Sequence, residues 1–448
     1  MMMLAYPMEE RLKWKTWVTP TALGDKPVHR WYVFPHSFTD ELVRHLAADW
    51  GLGPNDSVLD PFVGAGTTVL SAKQMGISAT GYDLSPLAVL ATRVKVADYQ
   101  VEVLRDTWAV LRRRIGKRLS RPSCGGMRKL YPELVRMALP GGLLEAFDAI
   151  LEEVSLLPAR ELDRDFFRLA AISVIPRYSR ARATGGWLKW VDQTDAAWTV
   201  PEALERRVGL MLGDVDGTEE NGRTLRRPTC HVAQADARSL PDPDGTFSAV
   251  ITSPPYPNRH DYTRVFGVEL MLAFLDWEGT RRLRYQSFHS HPEAHPVRPA
   301  AAGYRVPTTL SLLLDRIRQR PCDPRVLAML DGYFRDVFIC LRELARVSRP
   351  GARIAFVVGN AQYYGEPVPV DELTAEIGEQ ATLVCERILV VRRRGNSAQQ
   401  MGRYGRNPSR ESIVVFRVPG PAQHHTRCGV NAARPGPPGG SYPGPSDP

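Results

Sequence analysis

Two short stretches of this 448-residue chain combine residue types that can do chemistry. The first is Asp60-Pro61-Phe62-Val63-Gly64-Ala65-Gly66-Thr67-Thr68, set between an apolar run, SVLD, and a helical pattern, TTVLSAKQMG. Glycines at a strand-to-helix turn let the backbone bend tightly and approach a ligand at the helix N-terminus. Asp83 ends the next strand-like run, 23 residues after Asp60, where a carboxylate can accept both hydroxyls of a ribose. Neither the GxGxxG of NAD sites nor the GxxxxGK[ST] of P-loops is present here. The second stretch is Ser253-Pro254-Pro255-Tyr256, at the end of the strand-like TFSAVIT. Ser253 Oγ and the Pro254 carbonyl are two acceptors in a turn that Pro255 stiffens, because a residue before proline is kept out of the helical region. Tyr256 adds a flat ring on which a base can stack. A proline-rich linker is the bland reading, and it sits badly between that apolar strand and the helical pattern VFGVELMLAFL.

The elements that must position these residues alternate. A helix is expected over Thr39–Trp50 with Thr39 as its cap, then SVLD as strand, TTVLSAKQMG as helix closed by Gly76, ISATGYD as strand and SPLAVLATRVKV as helix. Helical patterns follow at Val103–Leu119, Gly142–Leu156 and Phe166–Pro176. Alternation resumes with the strands HVAQADA and TFSAVITS, a helix from Val326 to Leu344, and the strands ARIAFVVGN, ATLVCERILVV and ESIVVFR. Alternating β and α elements imply a mostly parallel sheet with helices on both faces. The chain divides into an N-terminal segment (1–50), a glycine-turn half (51–100), a helical insertion (101–229), the SPPY half (230–278), an Arg-, His- and Pro-rich insertion (279–330), the rest of the sheet (331–418) and a Pro/Gly-rich tail (419–448) expected to be disordered.

Composition excludes several classes. Six cysteines lie far apart with no CxxC pair, so neither a disulfide framework nor a zinc site is expected. Pro321-Cys322 reads as a loop proline beside an ordinary thiol. His289, His291 and His295 read as surface residues, and no metal is expected. No run is long enough to span a bilayer, and the start of the chain meets acidic residues before any apolar stretch, so a cytoplasmic location is expected. The net charge is +9, but residues 101–130, 279–320 and 386–417 together carry +19, leaving the remainder at −10. Such segregation suggests either a basic face for a polyanion or separate solvated surfaces. The polar run Asn258, Arg259, His260, Asp261, Tyr262 and Arg264 could close over a ligand or simply cap the next helix.

Asp60 to Thr68 and Ser253 to Tyr256 together resemble the first motif and the (D/N/S)PPY motif of the amino-group DNA methyltransferases, which modify adenine N6 or cytosine N4. Phe34-Pro35-His36-Ser37-Phe38 resembles the motif preceding the glycine loop in one branch of that family. The resemblance covers about residues 30–100 and 230–417. It implies an α/β, Rossmann-like S-adenosylmethionine-dependent methyltransferase sheet with an inserted helical block and a recognition segment. By resemblance, S-adenosylmethionine is held by Asp60 at the methionine amino group, by Phe62, Gly64, Gly66 and Thr67 along its length, by Asp83 at the ribose and by Asp236 at the adenine amino group. Ser253, Pro254, Pro255 and Tyr256 form the catalytic motif. An amino lone pair delocalised into a base is a poor nucleophile, and two acceptors on its hydrogens would localise it.

The implied activity is site-specific methylation of an exocyclic amino group in DNA, in restriction-modification or phage defence. SPPY is associated in the family mainly with cytosine N4 and DPPY with adenine N6, which favours N4. Adenine N6, an amino group on RNA, and a non-catalytic nucleic-acid-binding protein on a degenerate fold are the alternatives. The implied partners are DNA, ahead of RNA, and a cognate restriction or defence protein, with no membrane. Base readout is expected in residues 279–320.

Overall fold

The computed structural model describes residues 6–120, 130–184, 187–192, 197–219, 228–297, 299–394 and 409–420. Among these, eight strands form one sheet: β1 (Met8–Glu10), β2 (Ser57–Asp60), β3 (Ser78–Asp83), β6 (Cys230–Gln234), β7 (Phe247–Thr252), β8 (Ser348–Gly359), β11 (Val384–Arg394) and β12 (Ser409–Arg417). Two antiparallel pairs stand apart, β4 (Ala181–Thr184) with β5 (Trp187–Trp190) and β9 (Ala361–Tyr363) with β10 (Glu366–Val368). The spatial order is β1-β11-β12-β8-β7-β2-β3-β6, with β12 antiparallel to both neighbours and the other pairings parallel. The chain runs outward from β2 through β3 to β6, then returns to build β7 and β8 on the other side of β2. The order therefore reverses between β2 and β7, the point where open α/β sheets bind ligands. This is the Rossmann-like α/β arrangement, with one reversed strand set into its far half.

Strand periodicity separates two cores. Val58, Ile413 and Val415 enter one, against α1 (Asp40–Asp49), α2 (Thr67–Gln74) and α3 (Pro86–Val96). Their neighbours Leu59, Val414 and Phe416 enter the other, against α12 (Thr308–Arg318), α13 (Pro324–Val347) and α14 (Val370–Gln380). The helical insertion joins the first core through α4 (Val101–Leu119), α5 (Glu133–Ala138), α6 (Leu143–Ser155), α7 (Glu161–Tyr178) and α8 (Val200–Glu219). After the SPPY motif come α9 (Tyr262–Val265), α10 (Gly267–Ala273) and α11 (Trp277–Gln286).

Several expectations change in detail. β1 was not foreseen; its three residues pair parallel with β11 at the sheet edge. Residues 279–330 are not weakly patterned throughout, since Leu310, Leu313, Leu314 and Ile317 repeat at helical spacing and bury one face of α12. The boundaries drawn at 278/279 and 330/331 fall inside α11 and α13. The insertion is not purely helical, because it carries β4 and β5. Thr39 occupies the N-cap of α1, yet its side chain makes no capping hydrogen bond. Most of the tail lies outside the described residues.

Charge segregated along the sequence is largely paired in the fold. Arg105, Arg112 and Arg114 of α4 meet Asp216, Glu205 and Glu153 at 2.6–2.8 Å. Arg284 and Arg316 meet Asp261 and Glu366, at 2.8 and 3.0 Å. Arg387, Arg392 and Arg410 meet Asp49, Glu411 and Asp371, at 3.0–3.4 Å. The three basic stretches also go to different modules: α4 packs on α6 and α8, α11 on α9 and α10, and β11 with β12 form the far half of the sheet. Their charge thus serves intramolecular pairing first, and a single continuous basic face does not follow from it.

One buried carboxylate ties the insertion to the N-terminal segment. Asp214 of α8 accepts from Val28 N at 2.9 Å, Trp31 Nε1 at 2.9 Å and the Arg30 guanidinium at 2.5 Å. Asp214→Ala strands all three donors, so it is expected to cost about 3 kcal/mol of stability in denaturant unfolding. A loss under about 0.5 kcal/mol, the scale of an exposed pair, would contradict this docking.

Candidate active site

The C-terminal ends of β7, β2, β3 and β6 open into one cleft of about 950 Å³, which includes open solvent. Asp83 lines this cleft, and Asp60 lines an adjoining pocket that shares Phe34, His36, Phe62, Gly64 and Ser253 with it. Asp60 closes β2, only 2% exposed; its Oδ1 accepts from Thr252 Oγ1 at 2.7 Å and Phe62 N at 3.1 Å. Asp83 closes β3; its Oδ2 accepts from Gly64 N at 3.1 Å and its Oδ1 from Ser85 N at 2.9 Å. Asp83 and the glycine loop therefore hold each other in place. Burial pushes both carboxyls up to about 6, and Asp83 adds repulsion on Asp60.

The two glycines divide their work. Gly64, at φ 49°, lines the cleft, whereas Gly66, at φ 85°, does not; a Cβ on Gly66 would meet Thr92 Oγ1 at 2.8 Å. Gly66 thus lets α3 approach the turn rather than a ligand. Lys95 of α3, buried, donates to the Ala65 carbonyl at 2.7 Å and the Tyr32 carbonyl at 2.6 Å. Burial pushes this amine down to about 7. It fastens the glycine loop to the N-terminal segment, a role no local motif announces. That segment delivers Phe34, stacked on Phe266 with centroids 4.6 Å apart, and His36, both in the cleft wall. Ser37 Oγ lies 3.1 Å from Thr67 Oγ1. Phe34 to Phe38 is accordingly part of the site and not merely a helix entry.

Asp236 follows β6 and lines the cleft beside Phe62 and Phe288, whose rings meet edge to face at 5.6 Å. Arg238, 2% exposed, holds both Asp236 oxygens, through Nε at 2.9 Å and Nη2 at 2.8 Å. Its Nη1 reaches Asp336, fully buried in α13, at 3.2 Å, and Nη2 donates to the Gln286 carbonyl at 2.6 Å. A buried arginine between two carboxylates fixes Asp236 through planar, charge-assisted bonds. Sequence spacing could not pair Arg238 with Asp336, 98 positions away.

Ser253 and Pro255 line the same cleft, while Pro254 is buried behind them. Tyr256 lies against β8: a Cβ on Gly359 would come within 2.8 Å of its ring. Its hydroxyl stands 3.4 Å from both Ser253 Oγ and Glu411 Oε1, so the motif leads to a carboxylate 5% exposed. In the polar run beyond it, Asp261 caps α9, accepting from Thr263 N at 2.9 Å and Arg264 N at 3.2 Å. Arg259 is exposed at φ 65°, a strained conformation for a side-chain-bearing residue, with its guanidinium 5.4 Å from the Tyr363 ring. The histidines split: His295 is exposed, whereas His291 is buried in the cleft wall. Burial and His36, 4.2 Å away between ring centroids, push His260 down to about 4. Cys322 does not line the cleft.

These residues fit S-adenosylmethionine: a half-buried carboxylate suits a ribose, a buried one suits an ammonium, and aromatic walls suit an adenine. Without a ligand, the same carboxylates weaken the fold. Because both hold protons to about pH 6 against 3.8 for an ordinary aspartate, the unfolded chain releases them first. Their contribution is whole below about pH 4 and is lost as pH rises through about 6, on the order of 3 kcal/mol per group. In denaturant unfolding of ligand-free protein from about pH 4.5 to about pH 7, Asp83→Asn is expected to lose less stability than wild type. Equal losses would contradict the buried, proton-holding carboxyl.

The N6/N4 DNA methylase family matches residues 14–92. Type II methyltransferase M.BsoBI of Geobacillus stearothermophilus is 28% identical, over 90% of this chain and 88% of that protein. Type II methyltransferase M.AvaI of Nostoc sp. (strain PCC 7120) is 26% identical, over 88% and 87%. Among solved structures, the rRNA methyltransferase aviRa of Streptomyces viridochromogenes is 12% identical, over 89% of this chain and 92% of that one, with a TM-score of 0.30. That score is too low to carry weight, and the fold rests on the strand order. Through the glycine-loop half the chain matches the N6/N4 DNA methylase family model, and along nearly its whole length it is similar to Type II methyltransferases.

Proposed function

We propose that this protein transfers a methyl group from S-adenosylmethionine to an exocyclic amino nitrogen at specific sites in DNA, and that the target atom is cytosine N4. When bound, the cofactor supplies an electrophilic methyl group on a sulfonium. Everything else comes from the chain. Asp83 accepts the ribose hydroxyls, Asp60 the methionine ammonium, and Asp236, held by Arg238, the adenine amino group. Phe62, Gly64 and Thr67 shape the path between them, and Gly66 acts behind it. Ser253 Oγ and the Pro254 carbonyl accept the two hydrogens of the target amino group, so its lone pair turns from the ring toward the methyl. Tyr256 rests one ring face on β8 and offers the other to a base swung out of the duplex. Such catalysis is positioning and electrostatics without a covalent enzyme intermediate.

The observation that carries this reading is the meeting of Asp83, Asp236 and Ser253 in one cleft at the ends of β3, β6 and β7. Serine rather than aspartate at position 253 supports N4. A hydroxyl accepts a hydrogen bond but stabilises developing positive charge less than a carboxylate does. The Type II names of the relatives suggest a role beside a cognate restriction nuclease.

Mass spectrometry of nucleosides from DNA exposed to the protein tests the target atom. N4-methylcytosine is expected; N6-methyladenine alone would overturn the base assignment, and 5-methylcytosine the mechanism as well. Ser253→Ala should lower turnover about 10²-fold with cofactor affinity unchanged, as loss of one positioned transition-state partner does.

A further inference from the structure

The antiparallel pair β4–β5 of the helical insertion packs against the elements that follow the SPPY turn. β5 packs on α9, whose residues Tyr262 and Thr263 line the cleft. At its base, Arg180 N donates to the Ala138 carbonyl of α5, and α5 packs on α10. The ribbon therefore stands one short helix away from Ser253.

Its two faces differ. Ala181 pairs with Trp190 and Ala183 with Leu188; on this face Ala181 is buried and Leu188 packs on the core. On the alternate face Arg182 pairs with Lys189, Arg180 precedes by two residues, and Thr184 follows by two. Arg180, Thr184 and Lys189 are exposed. No acidic residue lies between Arg177 and Val191. Among the described residues, neither Arg180 nor Lys189 meets a carboxylate, in contrast to the paired arginines of α4, α11 and α12. Arg182 stands opposite Lys189, so the cations of the ribbon gather on one face.

We propose that the outward face of β4–β5 binds the phosphate backbone of duplex DNA next to the target base. The inference rests on the reading of the protein as a DNA methyltransferase. It moves a principal DNA contact from residues 279–320, whose described arginines are mostly paired internally, to the helical insertion. A two-stranded ribbon is a shape that duplex grooves admit, and cations on its face grip phosphates whatever the sequence. Within the reaction, this contact orients the duplex while Ser253 and Tyr256 engage the extruded base.

The double variant Arg180→Ala/Lys189→Ala tests it, since both side chains are exposed and the core is untouched. Duplex-DNA affinity is measured from about 50 to about 200 mM salt, with S-adenosylmethionine affinity as the control. Losing two phosphate contacts should flatten the slope of log K against log salt by about 1.8. The wild-type advantage should then be about tenfold larger at the lowest salt than at the highest. Cofactor affinity should not change. A variant with the wild-type slope and affinity for DNA overturns the ribbon's role while leaving the methyltransferase reading intact. Wild-type protein that neither binds nor methylates duplex DNA overturns that reading, and the ribbon's role with it.

Discussion

Two carboxylates, Asp60 and Asp83, end neighbouring parallel strands where the fold strips away their water. Peptide N–H groups and a threonine hydroxyl hold them there: Phe62, Gly64 and Ser85 in the turns after the strands, and Thr252 at the end of β7. Burying a carboxylate costs free energy unless it is bonded, and the bonds here only partly offset the loss, since both groups hold protons to about pH 6. A ligand bringing an ammonium and two hydroxyls would complete their hydrogen bonding. The apo fold is accordingly strained electrostatically at the place where the ligand relieves it. The glycine loop, the approach of α3 behind Gly66 and the Lys95 clamp all follow from the need to keep those donors aimed.

A second layer keeps the first in position by the same means. Arg238 lies buried between Asp236 and Asp336, joining the end of β6 to α13 on the opposite core, while its bond to Gln286 anchors the segment that carries Phe288 into the cleft wall. Asp214 gathers three donors from the N-terminal segment onto α8, so the segment that delivers Phe34 is fixed by the insertion. Charges well separated in sequence become neighbours, and an apparent excess in one stretch is neutralised by another.

How much of this was legible in the sequence depends on range. The glycine turn, Asp83 at the end of the next strand and the SPPY turn are local constellations, in which residue type and spacing state the backbone geometry directly. The strands of the sheet were legible because apolar runs bounded by glycine and polar residues leave little choice. α12 was obscured by its arginine content, although its leucine spacing was present. β1 has three residues and no pattern. Lys95, Arg238 and Glu411 were invisible because their partners lie tens to hundreds of positions away, and His291 was misplaced at the surface because a loop-like sequence says nothing about what packs over it. The ribbon β4–β5 went unnoticed because its basic face appears only once alternate residues are sorted to opposite sides.

Calorimetric titration of S-adenosylmethionine into wild-type protein and Asp83→Ala tests the central claim most directly, because Asp83 both lines the cleft and is bonded to the glycine loop through Gly64. The account predicts saturable binding by wild type at about one cofactor per chain. It predicts a weakening of about 10- to 150-fold in the variant, equivalent to the roughly 1.5–3 kcal/mol of lost charged hydrogen bonds. Wild-type affinity in Asp83→Ala would contradict it.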